Sequence, residues 1–137
     1  MSSALLILLA RAVHILGGVF WAGSVFVMAS VILPLAARQG NEGFGQWIPQ
    51  IGRKVGPAAG IASLLTIISG IYMMAVLHPH DRSPGGIVLI AGATAALLSF
   101  VSGFFGRGSI VGARVAAALL GIAVLAMAVF RYAAAIG

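Results

Sequence analysis

The sequence predicts an all-α integral membrane protein, an up-down-up-down bundle of four helices joined by short loops. Of its 137 residues, 61% are hydrophobic and only 7% are charged, whereas a soluble domain carries about 25% charged residues. Four apolar stretches each reach the ~20 residues that a helix needs to cross the hydrocarbon core. Because backbone polar groups cannot stay unpaired in lipid, and strand-like alternation is absent, we predict helices within one transmembrane domain over residues 1–137.

The first predicted helix covers residues 4–37. A long apolar stretch at this position can also be a secretory signal peptide. This one lacks a basic start, is too long, and runs through Arg11 and His14 without a clear cleavage site. We therefore expect it to remain in the mature protein as a spanning helix.

The other three predicted helices cover residues 57–77, 87–105 and 115–136. The connections 78–86 and 106–114 contain prolines and glycines that favour tight turns. The longest connection is 38–56, where apolar residues recur at helical spacing. This pattern predicts a short amphipathic helix in the membrane interface over about residues 43–54.

The distribution of basic residues predicts the orientation. The predicted loops 38–56 and 106–114, at one end of the bundle, carry five of them: Arg38, Arg53, Lys54, Arg107 and Arg114. The other end carries three: Arg11, Arg82 and Arg131. Cytoplasmic loops are enriched in Lys and Arg, so we expect both chain termini and the 78–86 loop on the outer side.

Several kinds of chemistry are excluded by the residues that the chain offers. It has no cysteine, which excludes disulfides, thiolate metal sites and cysteine nucleophiles. Its two acidic residues, Glu42 and Asp81, fall on opposite sides of the predicted membrane. The net charge of +6 comes from basic residues near segment ends, as in membrane proteins, so the expected partner is the lipid bilayer and not nucleic acid.

His14 is the most informative residue. An ionisable side chain inside a membrane helix is costly, and it is a functional-site hypothesis by default. Spacings of three and four place it on one helical face that we expect to turn into the bundle; this face comprises Arg11, His14, Gly18, Trp21, Val25 and Met28. Counting ~20 residues back from Pro34 places His14 near the outer membrane boundary.

His78 and His80 follow the second predicted helix, on the same predicted side as His14. The prediction is therefore a cluster of three histidines at one end of the bundle. Three arginines are expected at that end as well: Arg11, Arg82 and Arg131.

Two uses of such a cluster compete. A haem b takes histidine as an axial ligand, here His14, and arginines such as Arg11 and Arg131 can pair with its propionates. Gly17 and Gly18 would then leave space for the flat cofactor beside His14.

Copper, which accepts imidazole and thioether ligands, is the other use. His14, His78 and His80 would hold it, with methionines such as Met73 or Met74. A third interpretation assigns no ligand to these residues. In this interpretation His14 makes a hydrogen bond between helices, and His78 and His80 are ordinary loop residues. The small residues then serve close helix packing.

A family resemblance begins in the first helix, with the run Arg11-Ala-Val-His14-Ile-Leu-Gly-Gly-Val-Phe-Trp21-Ala-Gly23, closed by Leu33-Pro34. It continues through residues 53–57 and through Thr66-Ile-Ile-Ser-Gly70-Ile-Tyr72. These segments resemble bacterial four-helix membrane proteins of the copper-resistance protein D family. A membrane-type protoporphyrinogen oxidase belongs to the same broad group.

The resemblance implies a bacterial inner-membrane protein, and the outer side that the basic residues predict for both termini is then the periplasm. It also implies that His14 binds haem b or a metal, with Trp21 and Gly23 packed around it. The oxidase members use a lysine in a later helix, whereas the one lysine here, Lys54, precedes the second predicted helix. Copper-resistance members tend to be longer, with more helices.

Together these observations favour a haem b- or metal-binding protein that acts in electron transfer, or in cofactor or copper handling, near the outer face. The alternative is a non-catalytic subunit or scaffold, which packs against a larger membrane complex or against copies of itself. A channel or transporter component is a third possibility. It would require oligomerisation, because four helices with so few polar residues make a poor pore.

Overall fold

A computed structural model describes residues 3–39, 46–79, 82–106 and 109–136. Within these ranges the chain is helical apart from short turns. The elements are α1 (Ser3–Val27), a π-helical turn (Met28–Ile32), α2 (Leu33–Gln39), α3 (Ile48–Leu77), α4 (Pro84–Phe105) and α5 (Ile110–Ile136). The predicted all-α bundle is confirmed.

Four helical segments are long and apolar enough to cross a membrane. They are Ser3–Arg38, Ile48–Leu77, Pro84–Phe105 and Ile110–Ala133. Within the apolar part of each segment, between 11% and 22% of the residues are buried inside the protein. An apolar surface this extensive is not found on soluble monomers, so the outward faces of the helices suit contact with lipid.

The first segment is one continuous helix with a widened turn. α1, the π-helical turn and α2 follow one another without a break, and the amide of Leu33 bonds to the carbonyl of Met28, five residues back. Pro34 comes directly afterwards. In a regular α-helix its ring would clash with the carbonyl four residues earlier, that of Ser30, and π-type turns are a common local adjustment inside helices.

α3 begins nine residues earlier than predicted. Residues 48–54, predicted as part of a separate interfacial helix, are the first turns of α3, and residues 43–45 lie outside the described ranges. Pro57 stands inside this helix. Its missing N–H leaves the carbonyl of Arg53 without a helical donor. Arg53 is exposed on an early turn of α3, where another donor can reach that carbonyl.

α4 and α5 also begin earlier than the predicted residues 87 and 115. The hydroxyl of Ser83 accepts a hydrogen bond from the amide of Gly86 at 3.1 Å, and Pro84 occupies the first helical position. At α5 the hydroxyl of Ser109 accepts from the amide of Gly112 at 3.3 Å. Serine caps and a proline at the first position are standard helix starts, so the loops are shorter than predicted.

The bundle consists of two antiparallel helix pairs. α1 packs along α3 and α4 packs along α5, while the pairs meet mainly where α1 and the π-helical turn contact α5; α3 and α4 touch little. At the centre, the buried indole of Trp21 lies in a cluster of small and aliphatic side chains from the other three long helices: Ala62, Ala95, Leu120 and Ala123. Trp21 thereby connects the two pairs.

Candidate functional site

His14 lies between α1 and α3. Its Nδ1 atom is 2.8 Å from the carbonyl oxygen of Thr66, and the side chain is half-buried. A carbonyl oxygen can only accept a hydrogen bond, so Nδ1 carries the proton. In the neutral imidazole, Nε2 then holds the unprotonated lone pair.

Two hydroxyl groups on α3 complete this polar contact. Thr66 and Ser69 are both buried. The Ser69 hydroxyl lies 3.4 Å from Nδ1 of His14, but it is closer to the carbonyl of Leu65, at 2.6 Å. The Thr66 hydroxyl donates to the carbonyl of Ala62 at 2.8 Å. Both hydroxyls are therefore bonded along their own helix, and the Thr66 carbonyl is the main partner of the imidazole.

Two glycines allow this close approach of α1 to α3. A Cβ atom added at Gly70 would lie 2.9 Å from Cε1 of His14, so the ring rests directly against the α3 backbone. A Cβ atom at Gly17 would lie 2.7 Å from Oγ1 of Thr66. A Cβ atom at Gly18 would be in ordinary contact with Thr66, at 3.5 Å. The space predicted at Gly17 and Gly18 for a flat cofactor is thus occupied by Thr66.

The second ring nitrogen of His14 makes no hydrogen bond to the described residues. Both hydrogen-bond contacts of the ring involve Nδ1. Among the described residues, no buried side-chain nitrogen or oxygen lacks a partner, so Nε2 is not completely enclosed by the protein. Nε2 is therefore the ring nitrogen that remains for a ligand.

Only some residues of the predicted inward face of α1 are turned into the bundle. Trp21 is buried, and Gly18, Val25 and Met28 are half-buried, but Arg11 is exposed. Trp21 is seven residues, or about 10 Å, further along the helix than His14. It belongs to the central core and not to the surroundings of the imidazole.

His78 occupies a different level of the bundle. It follows the last turn of α3, and its ring meets Phe130 of α5 edge-on with centroids 6.0 Å apart. Arg131, the next residue of α5, is exposed. His14 rests on Gly70, eight residues before His78, which corresponds to about 12 Å along the helix axis. The two histidines therefore stand at different levels along the bundle axis.

The other predicted members of the cluster are exposed or lie outside the described residues. Arg82 is exposed in the loop before α4, and His80 is not described. In the described ranges, no three His, Cys, Asp or Glu side chains come together as a metal site. Counting residues along α1 predicts His14 at the same end of the bundle as His78. The antiparallel packing pairs His14 with residues 66–70, in the last third of α3 and about two turns before His78.

Thr66, Ser69 and Gly70 are the site residues whose role the sequence analysis did not assign. All three appear there only within the segment Thr66-Ile-Ile-Ser-Gly70-Ile-Tyr72, which carries the family resemblance. A signal was present, since Ser63, Thr66 and Ser69 stand at intervals of three residues in a largely apolar stretch and so share a helical face. Three buried hydroxyls on one face of a membrane helix indicate a polar partner on a neighbouring helix.

The fold and this contact define the class of the protein. It is a bundle of four helices that are long and apolar enough to cross a membrane, with a hydrogen bond from a histidine of the first long helix to the backbone of the second. Comparison with protein-family models, with curated proteins and with solved structures finds no match for the chain.

Proposed function

We propose that the protein binds haem b through Nε2 of His14 and acts in electron transfer or haem handling in the membrane. The observation that carries the proposal is the hydrogen bond from His14 Nδ1 to the carbonyl of Thr66. Histidines that bind metals almost always donate their other ring N–H to a carbonyl, a carboxylate or water. The bond sets the tautomer that a ligand at Nε2 requires.

The residues around His14 fit one axial ligand better than a complete metal cage. Haem iron can be held by a single protein histidine, and Nε2 supplies it. Copper needs further donors beside His14, and in the described ranges no group of three His, Cys, Asp or Glu side chains supplies them. Met73 and Met74 on α3 are half-buried, and His78 lies about 12 Å along the axis from the Gly70 contact. Haem b is therefore the first candidate, and copper at the same nitrogen is the second.

Each residue of the site has a role in this proposal. The Thr66 carbonyl fixes the orientation of the ring, and Gly70 gives the ring room against α3. Arg11 is exposed one turn before His14 on α1, where its guanidinium can pair with an anionic substituent such as a propionate. A haem held by His14 would supply a one-electron redox centre.

The deciding experiment is an absorption spectrum of the detergent-purified protein, before and after dithionite, with iron and copper analysis of the same sample. We expect a Soret band that shifts on reduction, and we expect His14→Ala to abolish it. Arg53→Gln is the control and should keep the band, because Arg53 is exposed near the start of α3, about 25 Å along the helix axis from the Gly70 contact. The proposal fails if the protein takes up neither added haem nor copper.

A non-catalytic scaffold is the second candidate, and one observation favours it. The His14–Thr66 bond joins two helices and is by itself a sufficient reason to keep a histidine in the membrane. The faces that α3 and α4 do not use against each other would then receive a larger membrane protein. Consistent co-purification with such a protein, unchanged by His14→Gln, would support this role in place of haem binding.

A further inference from the structure

A groove separates the two helix pairs where the π-helical turn faces α5. Its volume is about 460 Å³, within the range of small-molecule sites. Phe26, Ala29 and Ser30 line one side, and Arg114, Ala117 and Gly121 line the other. This groove is remote from His14, which faces α3.

The walls of the groove are apolar and its opening is charged. Ala29 and Ala117 are buried and form its floor, while Arg114 is exposed at its rim. The ring of Phe26 closes the far end, 3.7 Å from where a Cβ atom of Gly121 would lie. From Arg114 to Gly121 is seven residues of α5, or about 10 Å. The groove thus offers one cationic group followed by an apolar channel.

Arg114 belongs to a basic end of the bundle, defined by Arg38, Arg53, Lys54 and Arg114, all exposed. The two acidic residues of the sequence, Glu42 and Asp81, lie outside the described ranges. No carboxylate within those ranges is therefore available to pair with Arg114. A guanidinium at a membrane boundary, beside an apolar channel, is complementary to a phosphate with an attached acyl chain.

We infer that this groove is a binding site for an anionic phospholipid of the surrounding leaflet. The phosphate pairs with Arg114, and the hydroxyl of Ser30 lies on the opposite wall. One acyl chain lies over Ala117 toward Phe26 and Gly121. The π-helical turn shapes the α1 side of this channel, and such turns are frequent at functional sites. The inference is independent of haem binding at His14.

The test is native mass spectrometry of the purified, delipidated protein. Phosphatidylglycerol and phosphatidylcholine with identical acyl chains are added separately. We expect one phosphatidylglycerol to be retained at a concentration about tenfold lower than that needed for phosphatidylcholine. Arg114→Gln should remove this preference. Arg53→Gln is the matched control, because it removes one positive charge from the same end but not from the groove, and it should leave the preference unchanged.

A second variant tests the apolar channel without altering the charge. Ala118 is exposed and lines the groove, so Ala118→Phe should obstruct the acyl chain and reduce retention of both lipids. Two results would overturn the inference. Equal losses in Arg53→Gln and Arg114→Gln would show a diffuse charge effect, and normal retention by Ala118→Phe would show that the lipid binds elsewhere. Helical circular dichroism and elution volume verify that each variant is folded.

Discussion

The imidazole of His14 and the backbone carbonyl of Thr66 are joined by a 2.8 Å hydrogen bond that links α1 to α3. This contact uses the main chain of α3 as its acceptor, so no substitution at Thr66 removes the acceptor itself. The donor, in contrast, is a side chain and can be changed by substitution at position 14. Substitutions of His14 therefore test both the stability of the α1–α3 contact and the binding of a ligand.

Removing the His14 bond should lower stability modestly. Hydrogen bonds between membrane helices contribute about 0.6 to 2 kcal/mol, so His14→Leu should reduce the free energy of unfolding in detergent by about 1 kcal/mol. Unfolding in mixed micelles, followed by circular dichroism, measures this. An unchanged unfolding midpoint would show that the contact contributes nothing to stability. Ser24→Ala is the control, because its hydroxyl bonds only within α1 and is not between helices.

A methyl group at Gly70 should displace the His14 ring. The added carbon would lie 2.9 Å from Cε1, so Gly70→Ala should weaken haem retention at least severalfold and lower stability. Gly60→Ala is the matched control on the same helix, since nothing lies within 4 Å of its added carbon. Glycine is about 1 kcal/mol less favourable than alanine in a helix, so the control should be neutral or stabilising. Equal haem retention by both variants would contradict the ring position.

A methyl group at Gly17 should separate α1 from α3. The added carbon would lie 2.7 Å from Oγ1 of Thr66 and 3.0 Å from the carbonyl oxygen of Ala62, which is backbone and cannot rotate away. Gly17→Ala should therefore cost about 1 to 3 kcal/mol, as overpacking usually does. Gly23→Ala on the same helix has open space and should not destabilise. Unfolding curves of the two variants in one detergent provide the comparison.

The α4–α5 pair should depend on a buried serine. The Ser99 hydroxyl donates to the carbonyl of Ala116 at 2.7 Å, and Ser99 is 1% exposed. Ser99→Ala should destabilise the protein by about 0.6 kcal/mol or more. Thr94→Ala removes an exposed hydroxyl that bonds within α4 and should have less effect. If both variants unfold alike, the contact between these helices is not stabilising.

The predicted orientation can be tested directly, because the chain has no cysteine. Pro79 and Ser109 are exposed and follow α3 and α4, at opposite ends of the bundle. If both termini are periplasmic, an impermeant maleimide added to intact cells should label Pro79→Cys and leave Ser109→Cys unlabelled. The reverse pattern would overturn the orientation inferred from the basic residues.

Helix number and class follow from the sequence because apolar length alone decides them. The residues at which the helices begin do not follow from the sequence in the same way. Pro57 was expected to begin a helix, but α3 begins nine residues earlier and continues through it. The partner of His14 also could not be derived. Periodicity shows which residues share a face of one helix, but it does not give the axial offset between that helix and a second helix packed against it. That offset places His14 at Thr66 and Gly70, about 12 Å from the level of His78.

The division into two helix pairs has a consequence for how the protein enters the membrane. The polar side chain of His14 finds its acceptor on α3, and that of Ser99 finds its acceptor on α5. In the described part of the chain, the buried hydroxyls of each hairpin thus find their hydrogen-bond acceptors within that hairpin. During synthesis, the first hairpin can insert as a finished unit as soon as α3 has emerged, while α4 and α5 are still to be made. The remaining step of assembly is the packing of the two hairpins around the indole of Trp21.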